Sequence, residues 1–209
     1  MFERFVAAGI VGFTQLLTGA RTIWMAPQPR GRQRAYFANH NSHGDFVLLW
    51  SSLDPRERAR TRPVAGLDYW LGDPIRRYLA ERVFRAVLID RNPETRVRNP
   101  IDQMVEAIDA DDSLILFPEG TRNLSEQRLL PFKPGLWHVG RRRPELDLIP
   151  VWIDNLNRVL PKGEAIPVPL LCTVRFGAAL HVAEGEECDA FLARAREALL
   201  ELAPDEEAA

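Results

Sequence analysis

From residue 35 onward, short apolar runs alternate with amphipathic helical patterns, and this alternation is what most restricts the fold. The strand-like runs are Ala35–Ala38, Pro63–Ala65, Ala86–Ile89, Leu114–Phe117, Leu148–Ile153 and Leu171–Phe176. Helical patterns fall between them at Phe46–Leu53, Asp73–Phe84, Pro100–Ile108 and Gly135–Arg142, with a last one from Asp189 to Leu202. That order predicts an α/β fold: a single domain with a mostly parallel central sheet flanked by helices. At 209 residues the chain has the length of one domain and buries enough surface to fold without staples. Cys172 and Cys188 are too few for a disulfide framework or a zinc site, and they read as a reduced pair of unrelated thiols.

Both ends depart from this pattern. Phe5 to Ala20 carries no charge, lies between Arg4 and Arg21, and is followed by Trp24 and Met25. Sixteen residues fall short of the roughly 20 that cross a bilayer as a helix. The expectation for residues 1–25 is therefore a membrane-associating helical segment lying in the interface. Two other readings stand beside it: a terminal helix packed on the domain, and a signal peptide lacking a clear positive start. Residues 26–202 form the expected main domain and 203–209 an acidic tail. Asn155–Pro169 is a Pro- and Gly-punctuated excursion before the last strand.

Ionisable clusters follow three of the predicted strands. Asn39-His40-Asn41-Ser42-His43-Gly44-Asp45 follows the first, Asp90-Arg91 follows Ile89, and Pro118-Glu119-Gly120-Thr121-Arg122 follows Phe117. In an open parallel sheet the carboxyl ends of the strands share one edge, where ligands bind, so the three clusters should converge. Within the first, a carboxylate at Asp45 can fold back onto one imidazole nitrogen of His40. That fixes the tautomer and leaves the other nitrogen as a general base. Ser42-x-x-Asp45 before Phe46 also reads as a helix capping box, with Ser42 expected as N-cap; were Asp45 to do only that job, His40 would be a bystander. A metal site at His40 and His43 lacks a third ligand at a telling spacing, so no metal is expected. No Gly-x-Ser-x-Gly elbow surrounds Ser42, which argues against a serine hydrolase.

In the last cluster Gly120 permits close backbone approach to a ligand, and Arg122 offers a planar fork suited to phosphate. The other reading is a Glu119–Arg122 pair bracing a turn. Lys133, before Pro134-Gly135, can add a second cation. Charge is uneven along the chain: 16 Arg stand against 9 acidic residues in positions 1–100, and 11 basic against 20 acidic in the remainder. A basic half suits phosphates or an anionic membrane surface. No zinc finger, basic zipper or aromatic RNA-binding signature is present, so no nucleic-acid partner is expected.

The spacing of His40-x-x-x-x-Asp45 and Phe117-Pro118-Glu119-Gly120-Thr121-Arg122 resembles the glycerolipid acyltransferase family, which includes 1-acyl-glycerol-3-phosphate acyltransferases. Ile89-Asp90-Arg91 is similar to its second block, Leu148-Ile149-Pro150-Val151 to its fourth, and Phe132-Lys133-x-Gly135 also fits, over roughly residues 35–180. Gly44 departs from the family, which often has a bulky residue there. The resemblance implies transfer of a fatty acyl group from acyl-CoA or acyl carrier protein to a lysophospholipid hydroxyl, with no cofactor. It implies His40 and Asp45 as the catalytic pair, and Arg91, Glu119, Gly120, Thr121, Arg122 and Lys133 as the acceptor-binding set. It also implies the cytoplasmic face of the inner (plasma) membrane of a bacterium as the place of action. The rival expectations are acylation of another lysolipid, transacylation between lipids, and a non-catalytic lipid-binding protein.

Overall fold

The computed structural model describes residues 2–27, 31–154 and 171–204. A helix, α1 (Phe2–Thr18), leads through Gly19 into a strand, β1 (Arg21–Trp24). The core then runs β2 (Arg34–Ala38), α2 (Asp45–Ser52), α3 (Pro55–Arg60), β3 (Thr61–Gly66), α4 (Leu67–Trp70) and α5 (Pro74–Tyr78). It continues with β4 (Val87–Ile89), α6 (Pro100–Asp109), β5 (Ser113–Leu116), α7 (Gly135–Arg142), β6 (Asp147–Asp154), β7 (Thr173–Phe176) and α8 (Cys188–Leu200). Three helix starts share one local code: Asp54, Asp73 and Asn99 each accept backbone N–H groups as N-caps before Pro55, Pro74 and Pro100. Proline fits there because its missing N–H is one the helix start leaves without a partner.

The seven strands form one sheet in the order β1-β7-β6-β2-β5-β3-β4. The five from β6 to β4 run parallel, while β7 lies antiparallel to β6 and carries β1 parallel to itself at the edge. The all-buried strands β2 and β5 lie side by side, joining the apolar runs Ala35–Ala38 and Leu114–Leu116. Pro150 sits inside β6 without breaking the sheet. Its carbonyl accepts from Gly177 on the β7 side, so its missing N–H also points that way and the β2 ladder is intact.

Alternate residues of the sheet feed two cores. Ala35, Phe37, Leu114, Leu116 and Leu148 pack with α6, α7 and α8. Tyr36, Ile115, Ile149, Val151 and Phe176 pack with α2, and against Val6, Ile10 and Leu17 of α1. The parallel sheet expected from the alternation is present. Four details differ. The Asp73–Phe84 pattern is a short α5 that runs on as a π-helical turn, Leu79–Val83. Strand β1 and the short helices α3 and α4 were not anticipated, because four to six residues carry too little periodicity to read. Residues 155–169 and 205–209 lie outside the described residues.

Helix α1 answers the question of its packing in two ways at once. One side rests on the domain, while Phe2, Phe5, Phe13 and Leu16 on the other are 64–84% exposed. Among the described residues, no helix is long and apolar enough to cross a membrane.

Candidate active site

The loops after β2, β3, β4 and β5, four neighbouring strands, meet at one edge of the sheet. They line a cavity of about 640 Å³ that reaches from His40 and Arg122 to Ile101 and Met104.

His40 is held from four directions. Its Nδ1 lies 2.9 Å from Asp45 Oδ2 and its ring stacks on Phe117 with centroids 4.2 Å apart. Its backbone N–H donates to Glu119 Oε1 at 2.9 Å, and its carbonyl accepts from the Asn123 N–H at 2.6 Å. Just before it, the buried Asn39 side chain donates to the Ile153 carbonyl at 2.9 Å and accepts from the Ile153 N–H at 2.8 Å. An amide side chain thus extends the β2–β6 ladder by one step and anchors the loop where the strand ends.

Asp45 is 2% exposed, and the same Oδ2 that meets His40 accepts from the N–H groups of Asn41 at 2.7 Å and Ser42 at 2.8 Å. With Oδ2 accepting from both N–H groups, the tautomer with its proton on Nδ1 is the one that makes this contact a hydrogen bond to a carboxylate. Nε2 is thereby left with its lone pair on a ring that lines the cavity. Ser42 is not the N-cap expected for it: α2 starts at Asp45 after Gly44, and Ser42 Oγ accepts from the Gly44 N–H instead. The capping half that survives is Asp45 accepting the Ser42 N–H, so one carboxylate serves the turn and the imidazole together.

The Phe117–Gly120 turn is closed by the Gly120 N–H donating to the Phe117 carbonyl, with Gly120 at φ +70°. A Cβ there would lie 2.7 Å from Lys133 Cδ and Cε, so glycine is needed both for the backbone conformation and for the lysine that crosses it. Arg91 Nη1 approaches the Gly120 carbonyl at 3.4 Å. Gly120, Thr121, Arg122, Lys133 and Arg91 all line the cavity, as does Arg96, so four cations and a turn converge. Arg91 is also engaged by Asp68 of α4, at 2.8 and 3.0 Å.

Glu119 stands apart from its neighbours. It is 2% exposed and lies behind the residues that line the cavity, where it can shape the Gly120 turn. Its second oxygen accepts from the Leu130 N–H at 2.8 Å, so the carboxylate ties two loops together through backbone donors. Burial pushes its carboxyl above the usual carboxylate range, against the pull of those two N–H groups.

Sequence reasoning missed several lining residues. His43 stacks on Tyr69 at 4.8 Å, with Arg76 over the same Tyr69 ring at 4.7 Å. Burial, aided by Arg122 and His40, holds the His43 imidazole below its ordinary range. Phe46 and Trp70 complete an aromatic wall. Val64, Ile89, Ile101, Met104, Leu116 and Leu136 add an apolar lining. Among the described residues, no three of His, Cys, Asp and Glu are grouped to hold a metal ion.

An open α/β sheet carrying a His–Asp pair at its carboxyl edge has the geometry that general base chemistry requires. The family follows from comparison. The family model described as Acyltransferase matches residues 25–154, and the chain belongs to this family. The chain is 31% identical over 111 residues to the 1-acyl-sn-glycerol-3-phosphate acyltransferase of Haemophilus influenzae, covering 50% of this chain and 41% of that one. It is 28% identical over 177 residues to the protein of that name from Limnanthes alba, covering 77% and 57%. The Escherichia coli protein is 30% identical over 137 residues, covering 59% and 50%. The chain thus spans about half the length of the curated relatives it matches. A crystal structure of the 1-acyl-sn-glycerophosphate (LPA) acyltransferase PlsC from Thermotoga maritima shares the fold, with a TM-score of 0.72 at 17% identity, covering 96% of this chain and 79% of that one.

Proposed function

We propose that the protein transfers a fatty acyl group from a thioester, acyl-CoA or acyl carrier protein, to the free hydroxyl of 1-acyl-glycerol-3-phosphate, giving phosphatidate. The observation that carries this reading is the His40 ring, oriented by Asp45 through Nδ1, in one cavity with Arg91, Arg122 and Lys133. His40 Nε2 takes the proton of the acceptor hydroxyl as its oxygen attacks the thioester carbonyl. The new C–O bond forms, the tetrahedral oxyanion collapses, and the C–S bond breaks. The imidazolium then returns the proton to the leaving thiolate. Asp45 supports the charge that appears on the ring. Arg122, Lys133 and Arg91 around the Gly120 turn hold the acceptor phosphate, and the apolar lining residues of the cavity take hydrocarbon. The names of the relatives support the acceptor and product.

The test is a purified-protein assay with labelled acyl-CoA and acyl carrier protein against a panel of lysolipids. Thiol release that depends on lysophosphatidate is expected. Dependence on a different lysolipid would move the acceptor assignment, and lipid binding without thiol release would mark a non-catalytic lipid carrier. Arg122→Lys keeps the charge but loses the planar fork. It is expected to lower kcat/KM about tenfold on lysophosphatidate and little on a neutral monoacylglycerol, since a charged hydrogen bond is worth about 1.5–3 kcal/mol. An equal defect on both acceptors would make Arg122 a brace.

The exposed face of α1 is proposed as the membrane contact, at the cytoplasmic face of the inner membrane. Its support is the stripe Phe2, Phe5, Phe13 and Leu16 on a helix whose opposite side is anchored in the domain. Replacing Phe5, Phe13 and Leu16 together by Ser should weaken vesicle binding by at least about 100-fold, because each inserted side chain contributes roughly 1.5–3 kcal/mol. Melting should stay near wild type. Unchanged sedimentation with vesicles would place the contact elsewhere.

A further inference from the structure

We propose that Asp68 is a built-in rival of the acceptor phosphate: its carboxylate engages Arg91 and sets how tightly a phosphate monoester is held there. Arg91 and Asp68 approach at 2.8 Å over the end of β3, and both line the cavity. The pair lies flat across Gly66. A Cβ at that position would come within 2.6 Å of Asp68 Oδ1 and 2.7 Å of Arg91 Nε, so the absence of a side chain makes room for the ion pair. On its other side Arg91 reaches the Gly120 carbonyl, whose turn carries Lys133 and leads to Arg122. Arg91 is thus placed between a carboxylate on α4 and the turn where two further cations gather.

The same geometry separates Asp68 from the other acidic group in the wall. Asp90 is turned onto its own loop, accepting from the Asn92 N–H and the Thr95 hydroxyl, both at 2.9 Å. Asp68 engages a guanidinium, and Arg91 holds its carboxyl below the usual carboxylate range. A phosphate dianion entering beside Arg122 and Lys133 presents Arg91 with a second anionic fork partner. Both Asp68 oxygens are held by Nη2, so a phosphate that reaches this nitrogen competes with Asp68 for it. Because Arg91 is about half exposed and Asp68 is mostly exposed, the cost of that competition is modest. It is enough to tune affinity for acceptor and product, which carry the same phosphate group. The carboxylate is therefore a specificity-determining group for the proposed reaction, although it accepts nothing from substrate itself.

The inference rests on the reading that Arg91 meets the acceptor phosphate, and a mutant cycle tests the two separately. Inhibition by inorganic phosphate and the KM for lysophosphatidate are measured on wild type, Asp68→Asn, Arg91→Gln and the double variant, with thermal melting as a fold check. Asp68→Asn is expected to lower both the phosphate inhibition constant and the KM about two- to fivefold, the range of an exposed ion pair. The gain should vanish in the double variant, which should match Arg91→Gln alone. Asp68→Ala is the second variant, expected to move both constants in the same direction should Asn disturb α4. If Arg91→Gln leaves phosphate inhibition unchanged, the phosphate reading of Arg91 fails. If Arg91→Gln weakens it while both Asp68 variants leave it unchanged or weaken it too, Asp68 is a brace for α4 and the rivalry is overturned.

Discussion

His40→Ala is expected to lower turnover by about two to four orders of magnitude, the range that a positioned general base contributes. The protein should still fold. Removing the imidazole takes one partner from Asp45 Oδ2 but leaves the N–H donors of Asn41 and Ser42 in place, so the buried carboxylate is not orphaned. The lost hydrogen bond and the lost stack on Phe117 should cost on the order of 1 kcal/mol, a drop in melting temperature of about 2–4 °C for a chain of this length. KM for lysophosphatidate should change little, because the cations that gather at Gly120 are untouched. Turnover within threefold of wild type would remove His40 from the chemistry. Unfolding at room temperature would show that the four-way anchoring serves stability first.

The convergence of the site was legible because parallel strands impose it. Once Ala35–Ala38, Ala86–Ile89 and Leu114–Phe117 read as strands with ionisable residues after each, a shared carboxyl edge followed, and His40, Arg91 and Arg122 do line one cavity. The five parallel strands were legible for the same reason. What stayed hidden depends on contacts between residues far apart in sequence. A Glu beside Gly-Thr-Arg reads as a ligand contact, yet Glu119 meets the backbone of residues 79 positions before it and 11 after it. Nothing in a sequence marks a backbone N–H as lacking a partner. Asp68 was invisible because α4 has only four residues, and its importance comes from Gly66 and Arg91, which join it only when β3 and β4 pair. Ser42 misled because its spacing to Asp45 fits a capping box. The turn places Asp45 as the acceptor instead and starts the helix at Asp45. Strand β1 escaped notice because it is an edge strand of four residues whose partner, β7, lies about 150 positions later.

Glu119→Gln should give the second-largest effect on turnover, through position and not through contact. The carboxylate accepts at both oxygens, from His40 and Leu130. An amide has one oxygen and one NH2 group, so in either orientation it turns a donor toward an N–H that needs an acceptor. One of the two loops must therefore move or leave a buried N–H without a partner, at a cost of about 1–3 kcal/mol. If the His40 side gives way, the ring slides on Phe117 and Nε2 leaves its place relative to the bound hydroxyl. Misplacement by about 1 Å can cost on the order of 100-fold in rate. The expected result is kcat lowered about 10- to 100-fold with the KM for lysophosphatidate nearly unchanged, because Glu119 does not line the cavity and Arg91, Arg122 and Lys133 do. A group that instead bound the acceptor would raise KM first. Glu119→Asp retains two acceptor oxygens on a shorter arm, so it should recover part of the lost turnover without moving KM. Stability separates the remaining alternative: a purely structural brace would lower the melting temperature of Glu119→Gln while leaving kcat per folded molecule at the wild-type value. A rise in KM without loss of kcat would return Glu119 to the acceptor-binding set, and the split between the two constants decides between position and contact.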